Sequence, residues 1–186
     1  MVNGMNAEQG ANPPERLTTE RLILRKPSLE DAHAIFESYA QDPEVARYLT
    51  WKPADSVEET ICFLQGALRS WESRKTYTWM ITRKGEDRAI GAVDARVEIH
   101  ANIGYVLARP YWNRGIMTEA VRAVVEWAMA QEEIIRVWAV CDVENVASAR
   151  VLEKVGMQRE GILRRWILLP NRSDIPRDCY CYAIVK

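Results

Sequence analysis

The stretch Ala101 to Ala130, ANIGYVLARPYWNRGIMTEAVRAVVEWAMA, passes from an apolar strand through a tight loop into an amphipathic helix, and the loop ends in Asn113, Arg114 and Gly115. Successive backbone N–H groups at the start of a helix bind anionic oxygen, phosphate above all. They have no acceptor within the helix, and the helix dipole favours negative charge beside them. Gly115 has no Cβ to hold a ligand away from the main chain. Arg114 adds a delocalised cation whose geometry suits phosphate. The chemistry indicated is retention of a phosphate-bearing cofactor. The same residues also fit an ordinary strand-to-helix connection with a surface arginine, because short motifs recur by chance.

The elements that must position this loop follow from patterning. Arg21 to Arg25 alternates and predicts a first strand. Ser28 before Leu29-Glu30-Asp31 predicts a helix N-cap with an acidic first turn, followed by Ala32, Ile35, Phe36 and Tyr39 at helical spacing. Asp42-Pro43 ends that helix or opens another turn, Trp51-Lys52-Pro53 is a loop, and Ser56 caps a helix from Val57 to Glu72. Tyr77 to Thr82 and Ile90 to Val97 read as a hairpin turning at Lys84-Gly85-Glu86-Asp87. His100-Ala101-Asn102 turns again into a strand from Ile103 to Leu107. The helix after Gly115 carries an apolar stripe of Ile116, Ala120, Val124 and Ala128, with Val121 and Trp127 beside it. Ile134 to Val140 is β-branched and apolar, so the strand–helix–strand unit predicts parallel pairing through a right-handed crossover. Asn145 caps a short helix that Gly156 stops, and strands over Gly161 to Leu169 and Tyr180 to Val185 flank a polar loop, Pro170 to Pro176. Early hairpins with one parallel crossover imply an α/β, more strictly α+β, mixed sheet with helices on its faces.

Composition narrows the function. At 186 residues one domain is expected, spanning 16–186, behind a polar and mobile tail over 1–15. A formal net charge of −1 draws the molecule to neither nucleic acid nor an acidic membrane surface, and no apolar run is long enough to span a bilayer. The N-terminus has no signal-peptide core, so a cytoplasmic protein is expected. Cys62, Cys141, Cys179 and Cys181 form no CxxC pair, and with two histidines in the chain no metal site is expected; the thiols read as buried and reduced.

Four pieces in order carry a resemblance. They are Arg21-Leu-Ile-Leu-Arg25; Ile103-Gly104-Tyr105 followed by Tyr111 to Ala120; Asn145-Val-Ala-Ser148 running to Leu152-Glu-Lys154-Val-Gly156-Met157; and Glu160 to Arg164 with Asp178 before the final strand. The ordered set resembles the GNAT superfamily of acetyl-CoA-dependent N-acetyltransferases, in its RimJ/RimL-like branch, over roughly Leu17 to Lys186. The resemblance implies a central, mostly antiparallel sheet that splays into a V between the fourth and fifth strands, with helices on both faces. It implies that acetyl-CoA lies in that V. The N–H groups of Asn113, Arg114, Gly115, Ile116, Met117 and Thr118 would hold the pyrophosphate. Val106, Leu107 and Ala108 would pair with the pantetheine as an added strand, and Asn145 and Ser148 would meet the cofactor near its sulfur. Asn113 stands where that branch shows glycine; asparagine tolerates left-handed backbone, so the turn is expected to persist.

Amine acetylation by direct attack in a ternary complex needs a neutral amine, a polarised thioester and a proton for the departing thiolate. A backbone N–H near a bulge in the fourth strand is expected to stabilise the oxyanion. Ser148 is the first candidate to protonate the thiolate, because Leu152 occupies the place where many relatives carry tyrosine. Asp94, within an otherwise apolar run, Glu98 and Glu160 are the candidate bases; Asn102, where relatives often carry glutamate, cannot take a proton. His100 is a further acid–base option, though its turn position favours a solvated ring. Trp51, Tyr77, Trp79 and Trp166 line the acceptor cleft or pack the core, and Arg164, Arg165 and Arg172 either favour an acidic acceptor or form a charged, solvated hairpin. The implied partner is an amine: a protein N-terminus first, otherwise a polyamine, amino acid or antibiotic. A non-catalytic CoA-binding module is the rival from another class, and either a monomer or a homodimer is compatible.

Overall fold

The computed structural model describes residues 13–186, so most of the segment expected as a mobile tail lies outside the described residues. Eight strands form one sheet in the order β1-β2-β3-β4-β5-β6-β8-β7. They are β1 (Arg16–Thr18), β2 (Leu22–Arg25), β3 (Thr76–Arg83), β4 (Gly91–Val97), β5 (Ala101–Leu107), β6 (Arg136–Asp142), β7 (Gln158–Ile167) and β8 (Arg177–Val185). The helices are α1 (Ala32–Ile35), continuous with flanking turns over Leu29–Asp31 and Phe36–Ala40, then α2 (Pro43–Ala46), α3 (Val57–Glu72), α4 (Ile116–Ala130) and α5 (Val146–Lys154). Every neighbouring pair is antiparallel except β5 with β6.

Local chemistry sets several of these ends. Ser28 builds a capping box, its Oγ accepting from the Glu30 N–H at 3.3 Å while its own N–H donates to Asp31 Oδ2 at 2.8 Å. Asp31 is buried and is answered by the fork of Arg25 at 2.9 and 2.6 Å. Asp42 caps α2 through the Glu44 N–H, with Pro43 as the first helical residue, so Asp42-Pro43 opens a turn.

The sheet is covered on both faces. One face packs Val93, Ala95 and Ile103 under Ala120, Val121 and Val124 of α4. On that side Trp71, Tyr77, Trp79 and Trp127 meet edge-to-face, with ring centroids 5.2 Å apart for Trp79 and Trp127. The other face packs Met80 and Ala92 under Ile35, Tyr39 and Leu64. Tyr77 and Trp79, at 2% and 0% exposure, are therefore core rather than cleft wall.

The sheet opens between β5 and β6. Their parallel ladder has two pairs, Ala101 with Val137 and Asn102 with Trp138, whereas β4 and β5 stay paired from Val97–Ala101 to Gly91–Leu107. Past Asn102 the two strands part, which produces the expected V; the fourth and fifth strands counted from Arg21 are β5 and β6. The Asn102 side chain donates to the Trp138 carbonyl at 3.4 Å, at the apex.

Several expectations need correction. β1 precedes the strand expected first, and β5 begins at Ala101, inside the expected turn. β6 runs two residues later than read, because Ile134 is buried in the preceding turn and Ile135 is exposed. The register of β4 on β5 is unbroken, so the expected bulge is absent there; the shifts lie in β7, after Arg159 and after Leu163. Cys62 is exposed on α3 rather than buried.

Candidate functional site

The loop from Arg109 to Gly115 leads out of β5 into α4. Gly115 is the N-cap at φ 72°, and Asn113 stands at φ 59°, the left-handed conformation that asparagine was expected to tolerate. Among the described residues, no N–H group from Asn113 to Thr118 has a protein acceptor; the first amide in the helical ladder is Glu119, bonded to the Gly115 carbonyl at 3.0 Å. A run of unpaired amides converging on a glycine-lined helix start fits a diphosphate.

The edge of β5 that faces the splay is also available. Ala108 N–H donates to the Ile90 carbonyl at 2.9 Å, and its carbonyl accepts from Tyr111 at 3.0 Å. The Ala108 N–H is thus occupied, while its carbonyl keeps a second lone pair for an added strand. Val106 directs its carbonyl toward β4, where it lies 2.5 Å from the position of a Cβ on Gly91. By strand alternation Tyr105 and Leu107 present their backbone groups to the open side. Trp112 Nε1 takes the Leu107 carbonyl at 2.7 Å, leaving the Leu107 N–H facing the gap.

Two groups of side chains flank the splay from opposite faces. On the α4 face, Tyr105 Oη lies 2.7 Å from Ser148 Oγ, in the first turn of α5. Asn145 fixes that turn by accepting the Ser148 N–H at 3.1 Å. Burial pushes the Tyr105 phenol well above its ordinary range, with the Ser148 hydrogen bond pulling the other way, so the phenol holds its proton. Burial likewise pushes the Cys141 thiol beside Ser148 up to about 11, so it stays a thiol at neutral pH. In the sequence Tyr105 stands out only as part of Ile103-Gly104-Tyr105. Its meeting with Ser148 joins residues 43 apart in sequence.

On the opposite face, Asp94 of β4 sits directly across from Gly104 of β5. A Cβ at Gly104 would lie 2.7 Å from Asp94 Oδ1, so the glycine leaves room for the carboxylate. Burial pushes Asp94 up to about 6, while the charge of Arg96 pulls it down.

Other candidates stand apart. Glu160 is an exposed residue on β7, ion-paired with Arg136, which holds it below the usual carboxylate range. Glu98 is exposed, and His100 Nδ1 is buried without a hydrogen-bond partner among the described residues. Arg172 pairs with Glu144 and lies 5.0 Å over the Tyr48 ring. Two distant loops are strapped together here, because Asn171 Nδ2 donates to the carbonyls of Ala46 and Trp51, each at 2.7 Å. Trp51, Leu168 and Ile175 are exposed on these loops. Among the described residues no group of His, Cys, Asp and Glu could hold a metal ion, and no helix is long and apolar enough to cross a membrane.

Residues 21–158 match the family profile described as an acetyltransferase (GNAT) domain. The chain is similar to YoaA of Bacillus subtilis strain 168, an uncharacterised N-acetyltransferase, at 33% identity over 174 residues covering 91% of this chain and 96% of YoaA. It is similar to the ribosomal protein uS5-alanine N-acetyltransferase of Escherichia coli K12, at 25% identity over 176 residues covering 86% of this chain and 87% of that one. Among solved structures, RimL, a ribosomal L7/L12 alpha-N-protein acetyltransferase in complex with coenzyme A, matches with a TM-score of 0.82 at 22% identity, covering 92% of this chain and 98% of that chain; the likeness is one of fold.

Proposed function

The chain belongs to the GNAT acetyltransferase family, and from that premise we propose that it moves the acetyl group of acetyl-CoA to a protein or peptide N-terminal amine. The observation that carries the reading is the combination of unpaired amides from Asn113 to Thr118 with the open β5 edge in the splay. Those amides hold the diphosphate, and Tyr105 and Leu107 offer the pantetheine arm its backbone partners. Acetyl-CoA would supply a thioester; with the Leu107 N–H given to the pantetheine arm, the Tyr105 N–H on the same open edge is the donor left to polarise its carbonyl.

The chain's own residues divide the proton transfers. An α-amine arrives largely protonated, and Asp94 takes the proton that makes it nucleophilic. A carboxylate near 6 is mostly ionised at neutral pH yet a better base than an ordinary aspartate. Asp94 is preferred to Glu160, whose pair with Arg136 keeps it ionised and out of the splay. Ser148 gives its hydroxyl proton to the departing sulfur, Tyr105, in contact with Ser148 Oγ, restores it, and the phenol regains the second proton that the nitrogen sheds as the tetrahedral adduct collapses. On this reading Tyr105 takes the role for which Leu152 has no proton to give.

The acceptor reading draws on the relative named for ribosomal protein uS5 and on the exposed apolar side chains Trp51, Leu168 and Ile175 of the two strapped loops, which suit a polypeptide better than a compact polar amine. Mass spectrometry of a panel of N-terminal peptides and small amines, with acetyl-CoA, tests it. The expected product is a peptide acetylated at its α-amine. A polyamine, amino acid or antibiotic acetylated with higher kcat/KM than every peptide overturns the acceptor assignment.

A further inference from the structure

The polar residues that open β2 have no part in the chemistry above. Thr19 Oγ1 donates to Glu119 Oε1 at 2.5 Å, the Arg21 N–H donates to the same oxygen at 2.9 Å, and Arg21 Nε donates to Glu119 Oε2 at 2.6 Å. Glu119 lies in the first turn of α4, so the start of β2 is fastened to the helix that opens at Gly115. Arg21 Nη1 also donates to the Arg114 carbonyl at 3.0 Å, and Nη2 lies 3.5 Å from the position of a Cβ on Gly115. The guanidinium is therefore held in one orientation at the margin of the unpaired amides.

Beside it lies a cavity of about 360 Å³, walled by Arg21, Arg83, Lys84, Tyr111 and Arg114. Four cations surround it. Glu119 answers Arg21 and Glu86 answers Arg83, whereas Lys84 and Arg114 have no acidic partner among the described residues. Two uncompensated positive charges in a recess next to a diphosphate-binding helix start match a phosphomonoester dianion. We infer that this cavity is a subsite for the 3′-phosphate of coenzyme A, with Arg21 set in place by Glu119 and the Arg114 carbonyl. The inference rests on the acetyl-CoA reading and adds to it the group that distinguishes coenzyme A from its 3′-dephospho form. Arg83 ends β3 and Lys84 opens the turn to β4, so the subsite reaches beyond the loop and helix start that hold the diphosphate.

Titration calorimetry of the full chain with coenzyme A and with 3′-dephospho-coenzyme A tests it. The walls are partly exposed and screened by salt, so the expected preference for coenzyme A is about tenfold at low ionic strength, shrinking as salt is added. Lys84→Gln is expected to cut that preference to about threefold or less, with affinity for the dephospho compound changed by less than about twofold. The Arg83→Gln, Lys84→Gln double variant is expected to abolish it. Equal wild-type affinity for the two compounds overturns the subsite and leaves the acetyl-CoA reading standing. A preference that survives the double variant places the 3′-phosphate elsewhere and also overturns the subsite. A wild-type chain that binds neither compound removes the acetyl-CoA reading and the subsite together.

Discussion

Asp94→Asn keeps the size of the side chain and removes its capacity to take a proton, and its effects on activity and on stability have opposite signs. Burial holds Asp94 near 6 in the folded protein, against 3.8 for an ordinary aspartate. Between those values the folded state binds a proton that the unfolded chain releases, so stability falls as pH rises through that window, and the loss is complete above it. At about 1.4 kcal/mol for each tenfold, the ionised carboxylate destabilises the fold by about 3 kcal/mol at neutral pH. Asparagine carries no charge, but its partly buried amide gains no hydrogen-bond partner among the described residues, which offsets about 1–2 kcal/mol. The variant is expected to exceed wild type by about 1–2 kcal/mol in urea unfolding near pH 7.5 and to show no such advantage near pH 4, where wild type is protonated. Its kcat/KM is expected to fall by about 10²- to 10⁴-fold. The acid limb of the wild-type pH–rate profile, with its midpoint at about 6, should vanish with it. A limb that persists in the variant, followed by thiol release at saturating peptide, would remove Asp94 as the base. A stability difference that does not grow with pH would refute the burial argument itself.

Four further outcomes are expected. Gly104→Ala puts a Cβ 2.7 Å from Asp94 Oδ1 and displaces the carboxylate; kcat/KM should drop by about tenfold or more, with the circular dichroism spectrum unchanged. Tyr105→Phe and Ser148→Ala should each lower kcat far more than cofactor affinity, and the double variant should be little worse than either, because the two hydroxyls act as one 2.7 Å pair; additive losses would separate them. Gly115→Ala forces an L-residue to φ 72°, at about 1–2 kcal/mol, and should weaken coenzyme A binding by about tenfold or more in calorimetry. Arg177→Met strands Asp142, whose side chain is 0% exposed and held by Arg177 at 2.5 Å; urea unfolding should show a loss of about 3–5 kcal/mol.

The loop at Gly115 is legible in sequence because glycine, a following apolar stripe and a preceding strand are all local signals, and the capping box at Ser28 is legible for the same reason. β1 is not, since a three-residue strand with a single apolar residue, Leu17, has no alternation to detect and exists by pairing with β2. The start of β7 at Gln158 is hidden by polar residues, which a strand at the sheet edge tolerates because neither face is covered. Asp94 stands out as a carboxylate in an apolar run, but its partner surface, Gly104, appears only when the register is known. The contact between Tyr105 and Ser148 is out of reach of any local pattern, because it depends on where β5 and β6 part. Exposure, too, is a tertiary property: Trp79 and Trp166 both lie in strands, yet the first is buried and the second exposed.

The single amide of Asn171 sets the spacing between two segments that the chain order keeps far apart. Transplanting the Pro170–Pro176 loop with another residue at this position removes two hydrogen bonds to the stretch around Trp51, so on the proposed acceptor reading a change made there acts on both segments. Randomising that loop with position 171 held constant varies its contour while both ends stay anchored, and substrate range in this enzyme is best re-engineered as a linked pair of segments.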